Sequence, residues 1–195
     1  YPNLSIFSPS DASISRQLAP LIHAMKTPVY VRFDRAGIPD LYDDKPLDLE
    51  KGIFETRPGK DVCIISTGRF VYQAILVAEL LKEKGIDAQV LDAVRLKPFP
   101  VEEMFRLVDF RPVVTFEEHF LAGGLGSIVL ESFNDYFISF NERLRQFPSA
   151  SLLNPILRIG QGDRFVFDMG GREEIWKLYD LDPQSVANRI TGWLK

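Results

Sequence analysis

Residues 62–94 have the sequence VCIISTGRFVYQAILVAELLKEKGIDAQVLDAV, which contains a complete strand, helix and second strand. Val62 to Ser66 is short, apolar and rich in β-branched residues, as expected for a buried strand. Phe70 to Lys84 carries apolar residues at helical spacing, and Gly85 follows it at the position where helices commonly end. Ala88 to Asp92 again has the composition of a strand. This alternation predicts a parallel sheet with helices on its faces.

The same alternation continues on both sides of this stretch. Upstream, Leu4 to Ser8 and Val29 to Phe33 are predicted strands, and the helix between them can be capped by Ser10 or Asp11. Downstream we predict strands at 113–116 and 157–159, and helices at 101–108, 126–133, 172–178 and from 182 onward. The predicted fold class is α/β: a small, mostly parallel mixed sheet covered by helices and preceded by a partial β-α-β unit too small to stand alone.

Two segments depart from this pattern. Residues 36–60 mix acidic residues with prolines and are predicted to be an interdomain linker, whose end at Ile53 to Thr56 adds a short edge strand. Residues 134–155 place aromatic residues among polar ones. A longer helix, a cover for the core and a partner surface all remain open interpretations of this segment, with core cover as the default.

Composition and charge exclude several classes of protein. The 195 residues carry a net charge of -4 and contain no run of basic residues, so charge does not direct the molecule to nucleic acid. No apolar run approaches the roughly 20 residues that a membrane helix needs. The single cysteine, Cys63, rules out an internal disulfide framework and fits a reducing, cytoplasmic environment. Its apolar neighbours favour a buried small hydrophobic residue over a catalytic thiol.

Candidate ligand-binding residues follow the predicted strands. Arg32 and Arg35 flank the end of the second strand, where the planar donors of an arginine can hold a phosphate. The alternative is a surface ion pair with Asp34 or Asp40. Asp11 lies at the first strand-to-helix turn, so a helix cap is the favoured interpretation and ligand binding the weaker one.

Two further features give weaker indications of a site. The turn at 66–69 (STGR), followed by Asp92 at the end of the next strand, imitates a dinucleotide-binding unit. It has one glycine where that fingerprint uses three, so nucleotide binding is not favoured. His23 lies beside the apolar face of the first helix and is interpreted as a surface or interface residue.

The sharpest local feature is EEHFLAGGLGS at 117–127, where a strand leads into a glycine-rich loop and a helix. Gly123, Gly124 and Gly126 permit a close backbone approach, and amide groups at a helix start can bind an anion. Glu118 and His119 could form an acid–base pair or bind a metal. Adjacent side chains on a strand point to opposite faces, however, so structural or interface use is the favoured interpretation.

The order of these motifs carries a family resemblance. The chain contains, in sequence, YPNLSIFSPSDA, TPVYVRFDRAGIPDL, the stretch from GKDVCIISTGRF to RLKPFP, VVTFEEHFLAGGLGS and RIGQGDRF. Over nearly its whole length it resembles the transketolase family of thiamine-diphosphate enzymes, which includes 1-deoxyxylulose-5-phosphate synthase and the beta subunits of 2-oxoacid dehydrogenases. The resemblance implies that residues 1–41 end a pyrimidine-binding domain, residues 42–60 form a linker and residues 61–195 form the carboxyl-terminal domain.

The resemblance also implies a function for the complete enzyme. It would transfer a two-carbon ketol unit between phosphorylated sugars, using thiamine diphosphate and magnesium. The family's cofactor-activating glutamate, substrate histidines and metal-binding motif precede the region that this chain resembles. The segment alone is therefore expected to bind no cofactor and to be inactive. The implied partners are sugar phosphates, a second copy in a homodimer, and the remaining domains in the same chain or in a separate subunit, with neither nucleic acid nor a membrane among them.

Arg35, in FDRAGIP, matches the family arginine that holds the sugar phosphate, whereas Arg32 has a counterpart only in the synthase branch. Asp11 falls in a structural turn of the family. A phosphate contact favours the sugar-phosphate branches over the oxoacid dehydrogenases. The alternatives are a segment of the synthase or of a dehydrogenase beta subunit, or a non-catalytic assembly or effector-binding module with an anion at Gly123, Gly124 and Gly126.

Overall fold

A computed structural model describes residues 1–35, 37–43, 45–109, 111–144 and 155–195, with the backbone only at 137 and 140–144. The strands form two sheets. The smaller sheet contains β1 (Ser5–Phe7), β2 (Val29–Val31) and β6 (Arg95–Lys97), and its strands lie side by side in the order β2-β1-β6. The larger sheet contains β3 (Ile53–Arg57), β4 (Val62–Ser66), β5 (Ala88–Ala93), β7 (Val113–Phe120) and β8 (Ile156–Gln161), and its strands lie side by side in the order β3-β5-β4-β7-β8.

Six α-helices lie in the described part of the chain: α1 (Ala12–Ala24), α2 (Phe70–Glu83), α3 (Val101–Val108), α4 (Leu125–Leu144), α5 (Arg172–Leu178) and α6 (Pro183–Trp193). No helix in the described ranges combines the length and apolar character needed to cross a bilayer. In the larger sheet β4, β5, β7 and β8 are parallel, and β3 joins one edge as an antiparallel strand. The predicted mixed α/β sheet with helices on its faces is therefore confirmed.

The alternation of side chains along β4 separates two hydrophobic cores. Val62 and Ile64 face a core that contains α2, α5 and α6, whereas Cys63 and Ile65 face a second core formed with α3 and α4. Cys63 is fully buried, and burial raises the pKa of its thiol above the ordinary value. The thiol therefore remains protonated at neutral pH, which agrees with its interpretation as a small hydrophobic residue.

The first β-α-β unit is completed by a strand that the sequence analysis missed. β6 pairs antiparallel with β1, so that Ile6 lies opposite Lys97. The amide of Ser8 also donates to the carbonyl of Val94 at 2.8 Å. A third core forms at this junction from residues of both parts: Phe7, Ile14, Leu18, Tyr42, Leu49, Phe54 and Val94. The unit that is too small to stand alone is thus built onto the rest of the chain by a strand pairing and a shared core.

The segment predicted as a linker contributes to the larger sheet through β3, as the prediction of an edge strand at its end required. Asp11 caps α1, because the amide of Ile14 donates to its Oδ1 at 2.7 Å. Its Oδ2 accepts from the amide of Leu41 at 2.7 Å. Asp11 therefore fixes both the helix start and the backbone that leaves the first unit, and the helix-cap interpretation is confirmed.

Asp92, at the end of β5, joins the two parts of the chain through its side chain. Its Oδ2 accepts from the hydroxyl of Ser10 at 2.5 Å and from the hydroxyl of Tyr42 at 2.9 Å. The carboxyl group is fully buried, and burial raises its pKa from the ordinary 3.8 to about 7, against the opposing effect of these two donors.

This shift predicts a pH-dependent stability. In the unfolded chain Asp92 loses its proton near pH 4, whereas in the folded chain it keeps the proton until about pH 7. Its contribution to stability is therefore fully present below about pH 4 and is lost as the pH rises through about 7. We expect the free energy of unfolding of the wild-type chain to fall between about pH 5 and about pH 8, relative to Asp92→Asn, by roughly 1 to 4 kcal/mol. Urea unfolding of both proteins at the two pH values measures this difference, and equal pH dependence in the two would contradict it.

Candidate functional site

The carboxyl ends of four strands meet at one crevice. A small cavity there is lined by residues that follow β1, β2 and β4, together with residues near the end of β7: Ser8, Pro9, Arg32, Phe33, Asp34, Thr67, Gly68, Arg69, Phe70, Glu118 and His119. It adjoins a larger cleft of about 820 Å³, which shares Arg32, Thr67 and His119 with it and extends past the start of α3 and along α4. Open α/β sheets place ligands at this edge. The structure thus brings Arg32 and His119 together, although the two residues are far apart in sequence.

Arg32 and His119 form a half-buried pair between the small cavity and the larger cleft. Nη1 of Arg32 lies 3.4 Å from Nδ1 of His119. Burial, and then the charge of Arg32, lower the pKa of His119. The imidazole is therefore neutral at pH 7, and its Nδ1 can accept from the guanidinium. Glu118 lines the same small cavity but bonds to Arg172 and Trp176, and no hydrogen bond between Glu118 and His119 supports an acid–base pair in the described part of the chain.

Glu118 belongs to an ion network with Arg172, the first residue of α5. Nε and Nη2 of Arg172 donate to the two oxygens of Glu118 at 2.7 and 2.5 Å, and the indole Nε1 of Trp176 donates to the same carboxylate at 3.0 Å. Nη1 of Arg172 also donates to Asp34 at 3.0 Å. Burial acts to raise the pKa of Glu118, but the donors from Arg172 and Trp176 outweigh it and hold that pKa below its usual range. Glu118 is therefore ionised at neutral pH.

Arg35 stands outside this network of described residues. Its side chain is exposed, whereas the carboxylate of the neighbouring Asp34 forms ion pairs with Arg172 at 2.8 Å and with Arg69 at 3.9 Å. The guanidinium of Arg69 also lies 5.5 Å from the centre of the Trp176 ring. Arg69 and Asp34 both line the small cavity. Arg35 therefore projects from a segment whose own carboxylate is already paired.

The backbone amides at the start of α4, beside the glycine loop, donate to the carboxylate of a buried residue of the same chain. Glu117 is fully buried, and its oxygens accept from the amides of Leu125 at 2.6 Å and Gly126 at 2.8 Å. A Cβ atom at Gly124 would lie 2.1 Å from Oε2 of Glu117, so only glycine permits this approach. Burial raises the pKa of Glu117, and the two amide donors oppose that shift. An external anion at these glycines would have to compete with Glu117 for the amide of Gly126 and with the hydroxyl of Ser127 for the amide of Gly123.

This role of Glu117 was not predicted from the sequence. The available signal was the alternation of β7, because Glu117 and Glu118 must face opposite sides of the sheet. In the structure, the carboxylate of Glu117 contacts the start of α4, and the carboxylate of Glu118 contacts the start of α5.

The remaining candidates lie away from the crevice or are already bonded. Asp92 is buried and accepts from Ser10 and Tyr42, so its Oδ2 is not available to a ribose. His23 is exposed near the end of α1. Within the described residues no group of three or more histidine, cysteine, aspartate or glutamate side chains could hold a metal ion.

Comparisons with known proteins agree with this architecture. Residues 52–156 match the family model described as the transketolase C-terminal domain. The chain is 32% identical over 197 residues to one subunit of the apulose-4-phosphate transketolase of Phocaeicola vulgatus, covering 100% of this chain and 58% of that protein. It is 34% identical over 194 residues to 1-deoxy-D-xylulose-5-phosphate synthase of Caldanaerobacter subterraneus, covering 97% of this chain and 28% of the synthase.

Among solved structures, the chain is similar to a split-gene transketolase described as an inactive beta4 tetramer. The TM-score is 0.80 with 30% identity, and the match covers 99% of this chain and 58% of that one. This chain therefore spans less than two thirds of each of these relatives. The family match covers more than half of the chain and includes every strand from β3 to β7, so the chain belongs to the transketolase C-terminal domain family.

Proposed function

We propose that this chain is the carboxyl-terminal segment of a transketolase-like transferase, which moves a two-carbon ketol unit between phosphorylated sugars. Residues 1–41 would end the pyrimidine-binding domain and residues 61–195 would form the carboxyl-terminal domain. One relative is a single subunit of a transketolase and another is a split-gene transketolase, which supports a separate polypeptide as the source of the remaining domains. This chain would contribute a substrate-phosphate contact and subunit contacts.

The cofactor is assigned to the rest of the enzyme. Thiamine diphosphate, on which this enzyme family depends, supplies carbanion chemistry when bound. Magnesium that carries a diphosphate is held by one or two carboxylates together with the phosphate oxygens. In the described part of this chain, no cluster of three or more acidic, histidine or cysteine side chains was found.

The observation that supports the proposal is that the side chain of Arg35 is exposed while its neighbour Asp34 is paired with another arginine. Its exposed guanidinium follows β2 at the carboxyl edge of the smaller sheet, and the neighbouring Asp34 is neutralised by Arg172. An arginine whose neighbouring carboxylate is already paired keeps its donors available for an anionic ligand. The planar guanidinium matches two oxygens of a phosphate at once. Arg35 would therefore bind the phosphate of the sugar and orient its carbonyl end toward the cofactor.

Replacement of Arg35 tests this role. In the complete enzyme, Arg35→Met is expected to lower kcat/KM for a phosphorylated ketose by about 10- to 100-fold, because a charge-assisted contact is worth roughly 1.5 to 3 kcal/mol. The value for the matching unphosphorylated ketose should be unchanged. Arg189→Met, at an exposed arginine of α6, is the matched control and should alter neither value. Equal losses with both ketoses, or no loss with either, would contradict the proposed phosphate contact.

The synthase branch is the second candidate, supported by the 34% identity to a 1-deoxy-D-xylulose-5-phosphate synthase. The substrate that donates the two-carbon unit distinguishes the transketolase-like enzyme from the synthase. A complete enzyme that prefers a free 2-oxoacid to a phosphorylated ketose as its donor would favour the synthase or a dehydrogenase and contradict the proposed ketol transfer.

Subunit contacts are supported by one exposed apolar segment. The connection between β8 and α5 exposes Phe165, Phe167 and Met169 by 79%, 86% and 97%. Neighbouring large apolar side chains at this level of exposure are typical of protein interfaces. We propose that this segment contacts a second copy of the chain or another subunit of the enzyme.

A further inference from the structure

The segment that carries Arg35 is not held by regular structure. β2 ends at Val31, the amide of Arg32 still donates to the carbonyl of Phe7 at 2.9 Å, and Phe33 to Arg35 belong to no helix or strand. Asp34 lies in the middle of this segment and its side chain is 12% exposed. The position of Asp34 therefore has a direct influence on where the side chains on either side of it point.

Asp34 is fixed by a residue that is remote in sequence. Nη1 and Nη2 of Arg172 approach the two oxygens of Asp34 at 3.0 and 2.8 Å, which is a two-point contact. The same guanidinium makes a second two-point contact with Glu118 on β7. One arginine thus bridges the last residues of a sheet strand and the irregular segment after β2. Two-point contacts fix orientation as well as distance, which a single charge cannot do.

The far side of this bridge is itself immobilised. Glu118 lies near the end of β7, two residues beyond Phe116, which is paired with both β4 and β8, and it also accepts from Trp176 at 3.0 Å. Trp176 is 3% exposed and packs against Phe70 in the core, with ring centres 5.1 Å apart. Arg172 therefore connects Asp34 to a rigid part of the molecule and not to another surface side chain.

The location of Arg172 does not suit a role in helix stability. It is the first residue of α5, where the positive end of the helix dipole disfavours a cation. Glu173 and Glu174 provide the favourable charges of this turn, and Glu174 accepts from the amide of Gly171 at 2.9 Å. The contacts of Arg172 point instead to the organisation of the crevice.

We infer that Arg172 is a positioning residue for Arg35: by holding Asp34 against Glu118, it fixes the segment after β2 and leaves the Arg35 guanidinium free for the substrate phosphate. This inference rests on the proposed function, since it assigns to Arg172 an effect on phosphate recognition. Without Arg172, Asp34 would lose its ion pair at 2.8 Å and keep the longer one with Arg69 at 3.9 Å, and it could then pair with Arg35, which is the next residue in sequence. The phosphate contact would then be both displaced and in competition with a carboxylate.

The test uses the complete, cofactor-loaded enzyme with a phosphorylated ketose and the matching unphosphorylated ketose. Arg172→Met is expected to raise KM for the phosphorylated ketose about tenfold, while KM and kcat for the unphosphorylated ketose change by less than about twofold. Arg172→Lys retains the charge but not the double two-point contact, so an intermediate KM is expected. Arg106→Met is the matched control, because Arg106 makes a two-point contact of the same chemistry with Glu103 on the surface of α3, at 2.7 and 2.6 Å.

The outcomes separate this inference from the proposed function. If wild-type enzyme does not distinguish the two ketoses, the proposed function fails. If wild type favours the phosphorylated ketose and Arg35→Met loses that preference while Arg172→Met keeps it, the positioning role alone is overturned. Equal impairment with both ketoses would assign Arg172 a purely structural role and would also overturn the inference. A selective rise in KM for the phosphorylated ketose, smaller in Arg172→Lys and absent in Arg106→Met, is the supporting result.

Discussion

Replacing Glu117 with alanine is expected to lower the free energy of unfolding by about 4 kcal/mol. The carboxylate is fully buried and accepts from the amides of Leu125 and Gly126 at the start of α4. Alanine leaves both amides without an acceptor, and each buried donor that is left unpaired costs roughly 1 to 3 kcal/mol. It also removes a negative charge from the end of a helix where the dipole favours one, and it leaves a cavity beneath the glycine loop.

A graded series makes this prediction specific. Glu117→Gln keeps the shape and one acceptor oxygen, but the NH2 of its side-chain amide faces a backbone N–H, which is also a donor. The free energy of unfolding is therefore expected to fall by about 2 kcal/mol. Glu79→Ala is the control, because Glu79 is exposed on α2 and its replacement should change stability by less than about 0.5 kcal/mol. Urea unfolding monitored by circular dichroism gives all three values. Glu117→Ala and Glu79→Ala of equal stability would show that the loop does not depend on this carboxylate.

Replacing Gly59 with alanine is expected to cost about 3 kcal/mol or more. Gly59 lies between β3 and β4, against the backbone at the start of β5. A Cβ atom there would lie 2.2 Å from the carbonyl carbon of Ala88 and 2.3 Å from the amide nitrogen of Gln89. These are backbone atoms of a strand that is paired there with β4, so they cannot rotate aside as a long side chain could. Relief would require a shift of β5 or of the turn at Lys60, whose amide donates to the carbonyl of Asp87 at 2.9 Å.

Gly192 provides the comparison for this substitution. It lies in α6, and an added Cβ would meet nothing within 4 Å. Because alanine is favoured over glycine in a helix, Gly192→Ala should raise stability by about 0.5 to 1 kcal/mol. Thermal unfolding of the two variants should therefore move the midpoint in opposite directions. A Gly59→Ala protein that melts at the wild-type temperature would indicate that the turn before β4 can open without cost.

The sequence allowed most of the larger sheet to be predicted, because hydrophobic periodicity is determined locally. Val62 to Ser66 and Phe70 to Lys84 gave clear strand and helix patterns, and both elements lie within a residue of the expected bounds. β6 was missed for the opposite reason. Its three residues, Arg95 to Lys97, are too few to establish a strand pattern and carry two charges, and they form a strand by pairing with the open edge of β1.

The candidate site was less predictable, since its contacts join residues far apart in the chain. An ion pair of Arg35 with Asp34 was a reasonable local alternative, and no local pattern could indicate that Arg172 would take that carboxylate instead. The glycines before α4 suggested an anion, and the structure supplies one from eight and nine residues upstream in the form of Glu117. Residue type identified the chemistry in both cases, whereas the identity of the partner depended on the fold.

The pairing of β1 with β6 also bears on how the chain folds during synthesis. Ile6 lies opposite Lys97, so one edge of β1 stays unpaired until about 90 further residues have been made. At typical translation rates this delay lasts roughly 5 to 20 seconds, which is long compared with the folding of a small domain. An unpaired strand edge invites association with other chains during that interval. Protection by a chaperone during this interval would therefore limit association through the open edge of β1.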